Sequence, residues 1–265
     1  MSFKHKKKYG QNFLNDQTNV LEKIMEVSGV SENDEILEIG PGEGALTELL
    51  LEKAKKVNCV EIDTDLEKIL RKKFDKNLKF NLNMGDILEA DLDKIIGENT
   101  KVVANIPYYI TSPIINKLIE HRDKINEVYL MVQKEVGERV CASSGKERSV
   151  LTLAIEYFGE ASYLFTIPKE FFTPVPKIDS GFIAIKFYKD KRYENQIDEN
   201  LFFKYVKAAF SNKRKNIVNN LSTLGIAKDK IQNVLEKVGI SFNERAENLI
   251  IEQFIELAKL LEEKQ

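Results

Sequence analysis

The chain has 265 residues, 43% hydrophobic and 31% charged, which suffices to bury the core of one large domain or two smaller ones and excludes a disordered linker. Lys+Arg 40 against Asp+Glu 42 gives a formal net charge of -2, a balance that on its face argues against a nucleic-acid partner. Two cysteines and two histidines make structural zinc and a disulfide scaffold poor expectations, and no apolar run approaches the ~20 residues of a membrane span.

The basic start MSFKHKKKYG is not followed by the apolar core of a signal peptide, so a cytoplasmic protein that does not enter a membrane is expected. From residue 34, short apolar β-type runs alternate with amphipathic helical stretches, which predicts a parallel sheet covered by helices. Strands are expected at 35–40, 56–63, 78–86, 101–110 and 127–133, with helices at 45–54, at 64–74 and after the fourth strand, where Pro113 fits the first turn. Two helical segments, QKEVGERVCA and SVLTLAIEYF, come next. Strand candidates at 163–168 and 181–187 then flank the loop FFTPVPKIDS and suggest an antiparallel addition at the sheet edge. Beyond 188–200 no strand pattern remains. The expectation is therefore an α/β, Rossmann-like sheet domain over residues 1–190 and a smaller all-helical domain over 191–265.

The first strand runs into Gly40-Pro41-Gly42-Glu43-Gly44 before a helix. Such a turn lets a ligand touch the backbone at a helix N-terminus. The spacing is G-x-G-x-G rather than the dinucleotide G-x-G-x-x-G. Glu38 and Glu43 bracket it, an arrangement that would repel a pyrophosphate but tolerate the cationic amino-acid end of S-adenosylmethionine. The second strand brings Glu61, in register with the glycine turn, to where an acid accepts the hydroxyls of an adenosine ribose, while Asp63 or Thr64 reads as a helix cap. The third ends in Gly85-Asp86. There the carboxylate either accepts from the adenine amino group or caps the next turn.

Asn105-Ile106-Pro107-Tyr108 closes the fourth strand and is the most informative tetrapeptide in the chain. An exocyclic amine on a base is a poor nucleophile because its lone pair is delocalised into the ring. The Asn105 side-chain oxygen and the carbonyl preceding Pro107 would accept both amine protons and aim the lone pair at a methyl group. Pro107 fixes the turn and removes a donor, and Tyr108 offers a face for the base.

These residues resemble the KsgA/RsmA family of small-subunit (16S) rRNA adenine N6,N6-dimethyltransferases, kin of the Erm large-subunit rRNA methyltransferases. The resemblance runs through YGQNFL, LEIGPGEGALT, EID, GDIL, NIPYYITSPII, MVQKEVGERV, FFTPVPKIDS and FSNKRKNIVNNL, essentially the whole chain. It implies an S-adenosylmethionine-dependent class I methyltransferase. Asn12 and Leu14 would close the opening segment over the cofactor, Gly40 and Gly42 would meet it, Glu61 would take the ribose and Asp86 the adenine amino group. Asn105 would sit between cofactor and target amine. Phe172 would face Tyr108 across a flipped adenine, although Phe171 is hard to separate from it. A helical C-terminal domain would dock on ribosomal RNA through a basic cluster. Ile106, where the small-subunit branch often has leucine, is also at home in the Erm branch.

The charge balance conceals segregation. Residues 202–223 hold Lys204, Lys207, Lys213, Arg214 and Lys215 and no acid, and residues 1–15 hold Lys4, Lys6, Lys7 and Lys8 and no acid. Removing those nine from a net of -2 leaves the rest at -11, so a phosphate-binding face on an acidic body is expected. Three readings result: a monomeric, metal-free 16S rRNA dimethyltransferase of small-subunit biogenesis, an Erm-like 23S rRNA methyltransferase, and a non-catalytic ribosome-assembly scaffold. Intact Glu61, Asn105 and Tyr108 favour catalysis.

Overall fold

The computed structural model describes residues 13–14 and 19–263, so Asn12 and the basic run from Lys4 to Lys8 lie outside the described residues. Two compact units emerge. The first ends at Gly137 and resumes over Ala161–Phe187; the second joins Glu138–Glu160 to the chain from Tyr188 onward.

In the first unit, β1 (Phe13–Leu14) precedes α1 (Val20–Ser28), β2 (Glu35–Ile39), α2 (Ala45–Lys53), β3 (Lys56–Glu61), α3 (Thr64–Phe74) and β4 (Phe80–Met84). A short α4 (Leu92–Ile95), β5 (Thr100–Asn105), α5 (Thr111–Glu120) and β6 (Ile125–Gln133) follow. The chain then passes through α6 (Lys134–Val140) and α7 (Val150–Phe158) before returning in β7 (Gly159–Ile167), β8 (Phe172–Thr173) and β9 (Ser180–Phe187). Seven strands form one sheet in the order β4-β3-β2-β5-β6-β9-β7, and β1 pairs with β8 in a separate two-stranded ribbon. Strands β4 to β6 are parallel and β9 is antiparallel to β6, so the expected doubly wound sheet with an antiparallel addition is present.

Burial on both faces explains why the central strands read as near-continuous apolar runs, broken by buried polar residues such as Glu38 and Asn58, rather than alternating ones. One face packs Ile36, Val57, Cys59, Val103 and Met131 against Leu21 and Ile24 of α1, Leu46 and Leu50 of α2, and Leu66 and Leu70 of α3. The alternate residues Leu37, Val60, Val102, Leu130 and Ile183 are buried too. The fourth strand stops at Asn105, earlier than the expected 110. Pro107 has no N–H for the ladder, and Tyr108–Ile110 turn into a 3₁₀ helix that feeds α5. Asp63 caps α3 by accepting from the Asp65 N–H at 3.1 Å, as the helix-cap reading had it.

The second unit continues through α8 (Glu199–Ala209), α9 (Ile217–Leu221), α10 (Lys228–Val238) and α11 (Ile251–Glu262). The expected division at residues 190/191 needs correction: the later crossing falls at Phe187/Tyr188, and residues 138–160 pack with the C-terminal helices. The cause is in their side chains. Tyr157 of α7 stacks on Phe202 of α8 at 4.5 Å, and its hydroxyl donates to Ile197 O at 2.9 Å. The fully buried Arg148 donates to Leu249 O and to the Glu156 carboxylate. A charge buried without those partners would be costly, so the residue fixes where this segment packs.

Candidate active site

The order of the strands sets the place. The chain runs outward from β2 to β4 and then returns to lay β5 on the other side of β2, so the switch point of the sheet lies between the C-terminal ends of β2 and β5. Gly40 leaves β2 there and Asn105 ends β5. A side-chain carbon built on Gly40 would come within 3.8 Å of the Asn105 main-chain oxygen, so the two main chains are neighbours.

Backbone bonds extend the ladder past the strand ends. Gly40 N donates to Val60 O at 2.9 Å, and Gly85 N to Glu61 O at 2.8 Å. The glycine turn, Glu61 and Gly85-Asp86 are thereby fixed side by side at one edge. Gly40, Gly42 and Gly44 all have positive φ, from 60° to 88°. Gly44 is the most constrained: an added Cβ would lie 2.4 Å from Cε2 of Phe74. Lys73 Nζ donates to Glu43 O at 2.7 Å and fastens the turn from α3.

Glu61 is 3% exposed. Its two oxygens accept from Gly42 N at 3.2 Å and Asp63 N at 2.8 Å, which ties the carboxylate to the glycine turn. Burial raises its pKa, and those backbone donors oppose the rise. Asp86 is half-buried, and its Oδ1 accepts from Leu88 N at 2.9 Å. The cap reading of Asp86 is therefore realised for one oxygen.

Glu38 does not stand at the turn as expected. It is 2% exposed on the inner face, where its carboxylate accepts from Thr47 Oγ1 at 2.7 Å and contacts Cys59 Sγ at 3.5 Å. Burial pushes its carboxyl from 4.5 up to about 7, with the two hydrogen bonds opposing and Glu61 adding to the rise. A folded-state pKa above the unfolded one contributes stability that is full below pH 4.5 and is lost as pH rises through about 7. The gap corresponds to about 3 kcal/mol. Urea titrations should accordingly show the fold weakening between pH 5 and 8. Glu38→Gln, which keeps an acceptor for Thr47, should flatten that slope and exceed the parent in stability at pH 8; parallel profiles would refute the assignment.

Tyr108 is half-buried, and its hydroxyl is hydrogen-bonded to Ser180 Oγ, the first residue of β9. This bond ties Tyr108, three residues past the end of β5, to the start of β9. Burial raises the phenol pKa, and the bond to Ser180 lowers it. Ser180 ends the FFTPVPKIDS segment, but nothing in the sequence signals its bond to Tyr108, because 72 residues separate the pair. Phe172 departs from expectation. Leu14 pairs with it across the β1–β8 ribbon, and at 1% exposure it belongs to the core with Ile167 and Phe182. Phe172 therefore offers no accessible face for a base, while Phe171 is the partly exposed one of the two. Leu14 is partly buried against the same core.

Among the basic residues of the second unit, Lys207, Lys213, Arg214 and Lys215 are exposed. Lys204 is exposed as well but pairs with Glu262 at 3.1 Å, and Tyr205 donates to the same carboxylate. The acid that neutralises Lys204 lies 58 residues away, outside the acid-free window. No helix among the described residues is long and apolar enough to cross a membrane.

The family profile described as "Ribosomal RNA adenine dimethylase" matches residues 2–263. The chain belongs to this family. It is 68% identical over 262 residues to "Ribosomal RNA small subunit methyltransferase A" of Fusobacterium nucleatum, covering 99% of each chain. It is 44% identical to the protein of the same name from Caldanaerobacter subterraneus, covering 97% of each. A dimethyladenosine transferase from Plasmodium falciparum is similar in structure, with a TM-score of 0.77, 28% identity and coverage of 92% of this chain and 95% of that one. The 23S rRNA methyltransferase ErmE has a TM-score of 0.75 at 25% identity, over 95% and 100% of the two chains.

The enzyme is an S-adenosylmethionine-dependent rRNA adenine dimethyltransferase on a class I methyltransferase fold. Its site fits that cofactor. Gly40 runs beside the Asn105 carbonyl at the switch point, and the buried acid at the end of β3 is tied to the glycine turn, where it suits ribose hydroxyls.

Proposed function

We propose that this enzyme transfers methyl groups to the N6 amines of adjacent adenosines in a loop near the 3′ end of 16S rRNA, during small-subunit biogenesis, as a cytoplasmic monomer. The observation that carries the reading is the adjacency of Gly40 and Asn105 at the switch point, with Tyr108 anchored beyond them by Ser180. The names of the bacterial relatives support the small subunit over the large one.

The cofactor, when bound, supplies an electrophilic methyl group on a sulfonium. Gly40 and Gly42 would approach its methionine part, Glu61 the ribose and Asp86 the adenine amino group. Asn12 and Leu14 would close over it. Asn105 Oδ1 and the Ile106 carbonyl would accept the two N6 protons and set the nitrogen lone pair in line with the methyl carbon. Pro107 keeps that carbonyl turned to the site. In-line positioning supplies much of the acceleration, and the proton released by the methylated nitrogen passes to these acceptors or to water. Unpaired loop bases are flipped at low cost and rest on Tyr108. The first unit thus holds the catalytic machinery, and the second contributes Lys207, Lys213, Arg214 and Lys215 toward the rRNA backbone, with Lys204 available only if it leaves Glu262.

Incubation with labelled cofactor and either immature small subunits or naked large-subunit rRNA tests the reading. Label is expected on adjacent adenosines of the small-subunit rRNA. Label only on the large-subunit rRNA would establish the Erm-like alternative, and binding without label would establish a scaffold. Tyr108→Ala should cut kcat/KM by about 10- to 100-fold, the worth of one stacked base at ~1–3 kcal/mol. Tyr108→Phe keeps the face and should retain most of the activity; equal losses in both would show that the hydroxyl, not the face, matters.

A further inference from the structure

The turn between α8 and α9 presents Lys213, Arg214 and Lys215 to solvent, and none of the three is paired with a carboxylate among the described residues. Three cations on a loose turn would have to be ordered on binding, which subtracts from affinity. This turn is already ordered, from below, by one side chain.

Asn220 of α9 is 2% exposed. Its Nδ2 donates to Ala209 O at 2.6 Å and to Asn212 O at 3.0 Å, and its Oδ1 accepts from Ser211 Oγ at 3.3 Å. Both donors and the acceptor of the amide are directed at residues 209–212, the segment that launches the turn. Ala209 O is among the last carbonyls of α8, which lack helical partners. Downstream, Asn212 Oδ1 accepts from Arg214 N at 3.0 Å, and Asn212 O accepts from Lys215 N at 3.1 Å. The far end is held where Asn216 caps α9 by accepting from Asn219 N at 3.0 Å, and where Ile217 N donates to Glu244 O at 2.8 Å. Asn212 shapes the backbone that carries the cations, and Asn220 holds Asn212.

We infer that Asn220 is a positioning residue for rRNA binding: its buried amide presets the 213–215 turn so that the three cations meet the RNA backbone as a fixed array. The inference rests on the reading of this turn as an rRNA contact.

The test uses the full chain with small subunits as substrate. Asn220→Ala removes every bond of the brace, and Asn220→Ser leaves a hydroxyl that reaches at most one carbonyl. Both should raise KM for the subunit by about tenfold, with kcat and cofactor affinity unchanged and a flatter dependence of log KM on log salt. In a Lys213→Ala/Arg214→Ala/Lys215→Ala background, Asn220→Ala should add no further loss, because the brace then has nothing to position. An unchanged KM in folded Asn220 variants, or a full additional loss in the triple background, overturns the inference. Failure of both variants to fold overturns it as well, making Asn220 a determinant of the fold. A triple variant with parental KM would instead sink the rRNA-contact reading itself.

Discussion

Asn105→Ala is expected to lower kcat by about 10²–10³-fold, the usual cost of deleting one preorganised polar group that acts on the reacting atoms. The substitution removes the side-chain acceptor at the end of β5 and leaves the Ile106 carbonyl to hold the amine alone. Asn105 is half-buried and terminates the strand, so the fold should be little affected. Single-turnover methylation should slow, while cofactor affinity and the affinity for small subunits stay within a few-fold of the parent. Turnover within twofold of the parent would remove Asn105 from the catalytic role. Asn105→Asp is an informative companion, because it keeps an acceptor but trades the amide for a charge. Partial recovery is expected from Asp and none from Ala.

The second large effect concerns Gly44. Its φ of 88° already costs a side chain about 1–2 kcal/mol, and a Cβ would lie 2.4 Å from the Phe74 ring, an overlap worth about 1–3 kcal/mol more. Gly44→Ala should therefore destabilise the fold by about 2–5 kcal/mol and move the turn away from α3. Cofactor affinity should fall with it, since Gly40 and Gly42 belong to the same turn. The two causes separate by mutation. On a Phe74→Ala background, Gly44→Ala should add only the backbone part and a lesser contact with Leu70 Cδ2 at 3.3 Å, so the double variant should be less destabilised than the sum of the singles. Strict additivity in urea unfolding would show that the ring is not the obstacle.

The sheet was legible because its strands are short apolar runs broken by glycine, proline and acids, and the helices between them carry a clear period. The position of the glycine turn, Glu61 and Asn105 at C-terminal strand ends was legible for a related reason: in a doubly wound sheet, sequence order alone identifies those ends. What escaped depends on contacts across long separations. Ser180 holding Tyr108, Glu262 pairing Lys204 and Arg148 reaching Leu249 join residues with no local pattern between them. Glu38 misled for a different reason. It adjoins the turn in sequence, but strand alternation faces it inward, where Thr47 and Cys59 receive it. Phe172 misled similarly, because the β1–β8 pairing that fixes it in the core rests on only two residues per strand.

The discontinuous make-up of the second unit bears on how the chain is born. Arg148 leaves the ribosome 101 residues before the carbonyl of Leu249 that receives it. At the rates of synthesis in cells that interval lasts on the order of 5–20 s. For the first part of this time α7 carries Tyr157 without Ile197 and Phe202, and for the whole of it the Arg148 guanidinium just ahead of α7 has Glu156 but not the Leu249 carbonyl, while the residues of the first unit up to β9 are already made. The residues of the sheet are therefore synthesised before α7 can meet α8 and before Arg148 can reach Leu249, a window in which chaperone capture is expected to concentrate. A fragment of residues 191–265 made alone would lack α7 altogether and should not fold.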